Sequence, residues 1–214
     1  MTERRRGRFI SLEGGEGAGK STLLAGLHAH IAGQGVELVQ TREPGGTAVG
    51  EAVRAIVLDP AARGMAAETE LLLMFASRAQ LVREIIQPAL AAGQWVLCDR
   101  YVDASYAYQG GGRGQPAERI AELERWVCAG LEPDLTLLLD LPVATGRARA
   151  AGRGAADRIE VEEDGFFERA RAVYRARAVA APQRFRVIDA SRSPSDVLQL
   201  ALDAIAPLFA EHTP

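Results

Sequence analysis

An α/β fold, a parallel five-stranded sheet with helices on both faces, is what this sequence predicts, and three observations carry the prediction. Short apolar runs that suit buried strands alternate with longer segments whose apolar residues recur at three- and four-residue steps. The strand-like runs are almost continuously apolar, as expected when both faces of a parallel sheet are covered. A glycine-rich loop, Gly14-Gly15-Glu16-Gly17-Ala18-Gly19-Lys20-Ser21, joins the first strand to the first helix.

That loop reads G-x-x-x-x-G-K-S, the spacing of a phosphate-cradling loop. Phe9-Ile10-Ser11-Leu12 before it suits a buried strand, and Thr22-Leu23-Leu24-Ala25-Gly26-Leu27 with Ile31 after it has helical spacing. Glycines let successive backbone N–H groups turn toward one point, and a helix N-terminus adds positive potential there. Lys20 is expected to reach the β/γ-phosphates of a nucleotide, and the Ser21 hydroxyl to hold Mg²⁺. Lys20 is the only lysine among the 25 basic residues. A chain that otherwise uses arginine has placed its one compact point charge at this position.

The remaining elements follow in order. Residues 36–41 read as a second strand, and Arg42-Glu43-Pro44-Gly45-Gly46-Thr47 as a rigid corner able to approach a ligand, with Arg42 free to hold an anion. Residues 48–58 are helical and stop at Asp59-Pro60. Residues 67–92 form the longest helical pattern, with Pro88 near its end and Phe75 and Arg78 on one face. Residues 95–100 are a strand ending in Asp99-Arg100. Ligands of open α/β sheets gather at carboxyl strand ends, so Asp99 is a candidate to orient Mg²⁺ and Arg100 to grip a phosphate. Tyr101 to Gln109 is rich in aromatic and hydrogen-bonding groups, and Gly110 to Gly114 is expected to be a mobile loop. Helices over 117–130, 143–151, 163–180 and 194–209 alternate with strands over 135–140 and 185–189. An arginine-dense, glycine-broken stretch at about 147–160, with Arg147, Arg149, Arg153 and Arg158, suits a lid that closes over phosphates.

Composition narrows the function. At 214 residues a single domain is expected, with residues 1–7 a flexible, solvated tail rather than a leader or anchor. A net charge of −3 argues against a protein that coats nucleic acid, and no apolar stretch suits a membrane span. Cys98 and Cys128 lack metal spacing; Cys98 is expected to be a reduced core residue, which fits a cytoplasmic setting. The absence of asparagine excludes the Asn-Lys-x-Asp motif of switch GTPases. A phosphate loop, a strand-end Asp-Arg pair and an arginine lid together point to phosphoryl transfer. No water-positioning residue for a hydrolase is evident. An acceptor that is itself a phosphate needs cations to offset repulsion between two anions, and the arginines supply them.

These motifs resemble the bacterial thymidylate kinase family over nearly the whole chain. The resemblance is carried by Glu13 to Ser21, Thr41 to Thr47, Leu73-Met74-Phe75-Ala76-Ser77-Arg78, Asp99-Arg100-Tyr101, Ala107 to Gly114 and Asp157-Arg158-Ile159-Glu160. It implies a nucleoside monophosphate kinase fold and transfer from ATP, with Mg²⁺, to dTMP, for dTTP synthesis. It implies that Gly14 to Thr22 bind ATP, with Lys20, Arg153, Arg100 and Glu16 catalytic. Glu16 would lie near the sugar 3′-hydroxyl and acceptor phosphate. Arg42 and Arg100 would grip that phosphate, with Pro44 beside it. Phe75 would stack on thymine, Arg78 would donate to a thymine carbonyl, and Ser105 would read the base. Tyr108 would crowd out a ribose 2′-hydroxyl, with Gln109 close by. Arg153 would supply the lid charge that Glu16 in the loop does not, and Arg149 would face the adenine end. A homodimer formed through helices, residues 67–92 among them, is also implied. The alternatives are a kinase for dUMP or UMP, which Tyr108 disfavours for ribose, and a non-catalytic ATP-binding regulator.

Overall fold

The computed structural model of the chain describes residues 6–151 and 156–210. Strands β1 (Phe9–Gly14), β2 (Leu38–Arg42), β3 (Trp95–Asp99), β4 (Leu135–Asp140) and β5 (Phe185–Asp189) form one sheet. Their order is β2-β3-β1-β4-β5, and every pair is parallel. β1 therefore lies in the centre, and the chain leaves it toward opposite edges. That reversal opens a crevice at the carboxyl ends of β1 and its neighbours, the usual ligand position in such sheets. The register places Asp99 level with both Leu12 of β1 and Arg42 of β2.

Side chains of the central strands alternate between two cores. Ile10, Leu12, Leu97, Leu135, Leu137 and Leu139 pack against α1 (Lys20–Gly33) and α9 (Pro194–Ala210). Phe9, Val96 and Cys98 face the other side, toward α3 (Ala67–Leu81) and α6 (Ala117–Cys128). Leu138 and Phe185 meet α8 (Asp164–Ala180) on a third apolar cluster. Each fully buried Leu, Ile, Val or Phe adds about 1.5–3 kcal/mol of transfer free energy, so all three strands at the sheet centre are held from both faces. Cys98 and Cys128 are both buried free thiols.

Three sequence expectations need correction. The helix read as continuous over 67–92 contains a π-helical turn, Val82–Ile86, between α3 and α4 (Gln87–Ala91). Pro88 lacks an N–H and its ring crowds the preceding turn; widening that turn relieves the clash while the helix continues. The mobile glycine loop is not a loop at its start. α5 (Val102–Ser105) runs into a second π-helical turn, Tyr106–Gly112, packed on α8. A Cβ on Gly112 would come within 2.3 Å of the Phe166 ring, and Arg169 donates to the carbonyls of Gly111 and Gly112. These glycines allow close approach, not motion. Of the expected tail, Arg6 and Gly7 are anchored: Arg6 pairs with Asp134 and the Gly7 N–H donates to Leu90 O. The other described helices, α2 (Ala48–Leu58) and α7 (Val143–Ala150), lie within a residue or so of their expected limits.

Candidate active site

A cavity of about 630 Å³ opens at the carboxyl ends of β1, β2 and β3. Glu16 to Thr22 form one wall, Arg42 to Pro44 a second, and Asp99, Arg100, Tyr108 and Gln109 a third. The phosphate loop owes its shape to two kinds of glycine. Gly17 has φ 69°, and a Cβ there would fall 2.0 Å from the Gly146 carbonyl of α7. Gly19 has φ 90° with nothing within 4 Å, so its Cα faces open space. α1 then starts at Lys20 without any side-chain cap, leaving its first N–H groups for an anion. Gly14 and Gly15 line a smaller adjoining cavity with Glu16 and Tyr174.

Charge is concentrated on the floor. The Lys20 ammonium donates to the carbonyls of Gly14 and Gly15, each at 3.1 Å. Burial, together with the Arg100 charge, lowers its pKa from the usual lysine value, while Glu16 and Asp99 act the other way. Arg100 has φ 71°, a left-handed conformation rare outside glycine. Its guanidinium donates to Gly14 O at 2.8 Å and to Glu16 Oε1 at 2.7 Å, and lies 4.8 Å from the Tyr108 ring centroid. The Tyr108 hydroxyl also donates to Glu16, at 3.3 Å. Asp99 Oδ1 is buried and accepts no hydrogen bond from the protein. A carboxylate oxygen so left, in a cavity that Ser21 also lines, fits a Mg²⁺ that keeps most of its waters and takes its other ligands from phosphates. No cluster of three or more His, Cys, Asp or Glu side chains that could hold a metal ion is present among the described residues.

The second cluster lies behind the cavity wall. Phe75, Arg78 and Ser105 come together as expected, but all three are buried and none lines the cavity; Met74 and Ala104 do. The Arg78 guanidinium lies 4.5 Å from the Phe75 centroid and donates to Ser105 Oγ at 3.1 Å. It grips Glu43 through Nε and Nη2, the latter at 2.6 Å, and also reaches Tyr101 O. Four of its five N–H groups are engaged in these bonds. The Glu43–Pro44 peptide is cis.

The lid arginines do not act as one group. Arg147 donates to Glu162 O and pairs with Asp164. Arg149 donates to the carbonyls of Ala190 and Ser191, beyond β5. Arg158 is buried and pairs with Glu70 at 2.6 Å. Arg153 lies outside the described residues.

Sequence reading missed several residues. Arg54 of α2 lines the cavity and donates to Pro44 O; burial and the Arg42 charge lower its pKa. Its position beside the buried Val53 and Val57 stripe was the available signal. Glu70 joins Gln109, Arg113 and Arg158 under the cavity. A carboxylate in helical phase with the buried Met74, Ser77 and Leu81 could have marked it. Asp157, Ile159 and Glu160, named from the sequence as a motif block but given no role, also reach the cavity wall.

Comparison with known proteins agrees with this geometry. The family model described as thymidylate kinase matches residues 12–201. A thymidylate kinase of Ectopseudomonas mendocina is 56% identical over 205 residues, covering 96% of this chain and 97% of that protein. One of Alkalilimnicola ehrlichii is 56% identical over 202 residues, covering 94% and 93%. The crystal structure of thymidylate kinase from Ehrlichia chaffeensis superposes with a TM-score of 0.75 at 30% identity, covering 94% of this chain and 98% of that one. The same phosphate loop, strand order and arginine-lined crevice thus stand in a chain that belongs to the thymidylate kinase family.

Proposed function

We propose that the chain transfers the γ-phosphoryl group of ATP to the phosphate of dTMP, giving dTDP and ADP. The observation that carries this reading is Arg100. It stands between the phosphate loop and the Arg42 corner, bound to Glu16, with Lys20 and Asp99 on the same floor. An anion approaching from the Arg42 side and one approaching from the Lys20 side would meet there, and little covalent chemistry would fall to the protein.

Lys20 and the α1 N-terminus would hold the donor phosphates. Ser21 and Asp99 would hold Mg²⁺, which neutralises developing charge on the transferred group. Arg42 and Arg100 would hold the acceptor phosphate. Glu16 would meet the sugar 3′-hydroxyl, and Tyr108, bound to Glu16, would leave no room for a 2′-hydroxyl. Phe75 would offer its ring to thymine, and Arg78 its remaining Nη1 N–H, with Ser105 behind it, once the base displaces the Met74 and Ala104 side of the cavity wall that covers them. Arg153 would bring lid charge to the transition state, and Arg149, near the β5–α9 turn, would face the adenine end. We take the chain as one kinase domain working in the cytoplasm as a homodimer. No helix among the described residues is long and apolar enough to cross a membrane.

Release of ADP, measured with ATP and Mg²⁺ while the acceptor is rotated through dTMP, dUMP, UMP, dCMP, AMP, GMP and none, tests this reading. Strong release with dTMP, weaker with dUMP and near none with ribonucleotides is expected. Preference for another acceptor would overturn the base-pocket roles. Equal release without acceptor would overturn transfer itself.

A further inference from the structure

Glu13, the last acidic residue of β1 before the phosphate loop, is fully buried and is not part of the cavity wall. Among the described residues no lysine or arginine pairs with it directly. Its neighbour Asp103 carries charge of the same sign, and Asp103 is itself held by Arg177 and Arg184. A buried carboxylate so placed opposes folding unless it has a use or a partner.

Its two oxygens have partners of a particular kind. Oε1 accepts the Tyr101 N–H at 2.7 Å, and Oε2 accepts the Tyr174 hydroxyl at 2.7 Å. Tyr101 directly follows Arg100, whose φ of 71° is the strained point of the β3–α5 turn. The Tyr174 oxygen in turn accepts from Arg100 Nη1 at 3.3 Å. Glu13 thus reaches both ends of one residue: the backbone that sets where Arg100 starts, and the hydroxyl that sets where its guanidinium stops. The Arg100 N–H donates to Leu12 O, next to Glu13 in β1, which closes the frame.

We propose that Glu13 is a positioning residue for phosphoryl transfer, holding Arg100 in its left-handed conformation and aimed guanidinium through the Tyr101 amide and the Tyr174 hydroxyl. Released from that frame, Arg100 would relax toward negative φ and withdraw from the crevice floor. The inference rests on Arg100 contacting the acceptor phosphate.

A kinetic double-mutant cycle on the full chain tests it. Glu13→Gln keeps the shape, but its amide nitrogen donates where the carboxylate accepted, so the Tyr174 hydroxyl loses its acceptor. Assayed at about pH 9, where the Glu13 carboxyl raised to about 8 is ionised, the variant is expected to show a fall of about tenfold in kcat/KM for dTMP, the size of one charge-assisted hydrogen bond, with ATP KM within about twofold of wild type. In an Arg100→Ala background the Glu13 effect should vanish, because the residue it acts through is gone. Tyr174→Phe removes only the hydroxyl relay; it should show a smaller loss that is likewise absent beside Arg100→Ala. That second cycle decides the matter if Glu13→Gln does not fold. Effects that multiply with Arg100→Ala, or that fall equally on ATP and dTMP, would overturn the positioning role while leaving Arg100 as the acceptor contact. Arg100→Ala with unchanged kinetics would instead overturn the reading of Arg100, and the positioning role with it.

Discussion

Two arginine–glutamate pairs flank the same corner of the chain, and they are opposites. Arg78 and Glu43 form a pair whose side chains are 0% and 1% exposed. Arg42 and Glu51, joined through the residue just before Glu43, are 52% and 45% exposed. The sealed pair cannot be exchanged for a ligand; its charges have no water to return to, and breaking it strands one of them. The open pair can, since water screens both members and their attraction is worth about 1 kcal/mol or less. Glu51 also accepts the Gly46 N–H at 2.8 Å, so one carboxylate occupies an anion position built from Arg42 and the corner backbone. The corner thus has a fixed side, which shapes the pocket, and an exchangeable side, which can receive a phosphate.

Breaking the fixed side should have the largest effect. Glu43→Ala leaves the Arg78 guanidinium buried without its counter-charge and should cost about 3–5 kcal/mol of stability. Thermal denaturation checks it, and a near-unchanged midpoint would mean that Arg78 finds another partner. Arg42→Ala should leave the midpoint within a few degrees but raise the KM for dTMP on the order of 10- to 100-fold, as loss of one charge-assisted phosphate contact requires. Loss of stability without change in KM would reverse the comparison.

Glu13 offers a pH test of the buried region. Burial, and then the Asp103 charge, raise its carboxyl to about 8; Tyr174, Arg100 and the Tyr101 N–H pull the other way, and Lys20 also faces it. Between the ordinary value near 4.5 and about 8 the folded protein keeps a proton that the unfolded chain has released. Stability from this group is therefore lost as pH rises through that window. Midpoints compared at about pH 5 and about pH 8 should differ less in Glu13→Gln than in wild type. The smallest effect is expected from Glu51→Gln: freeing Arg42 should lower the KM for dTMP only about two- to fivefold, in keeping with an exposed pair.

Legibility followed the range of the interactions. The phosphate loop, the place of Asp99 at the end of its strand and the parallel five-stranded sheet could be read because motif spacing and apolar runs are local; the order of the strands could not. Phe75, Arg78 and Ser105 could be named from family resemblance, but their burial behind Met74 and Ala104 could not. That depends on Glu43 folding back 35 residues to take up the Arg78 charge. Gly111 and Gly112 were misread as mobile because composition cannot tell a flexible glycine from one pressed against Phe166. Arg100's positive φ was invisible for the same reason: the residue type argues against it, and only Leu12, Glu13 and Tyr174 from distant segments impose it.

The most direct measurement follows the γ-phosphoryl group itself. ATP labelled at the γ-phosphate is incubated with Mg²⁺ and dTMP, and the label is located, with Lys20→Ala as control. Label in dTDP, with turnover lowered on the order of 10²- to 10³-fold or more in the variant, is the predicted result. Label in inorganic phosphate, or equal transfer by Lys20→Ala, would contradict a crevice built to join two phosphates.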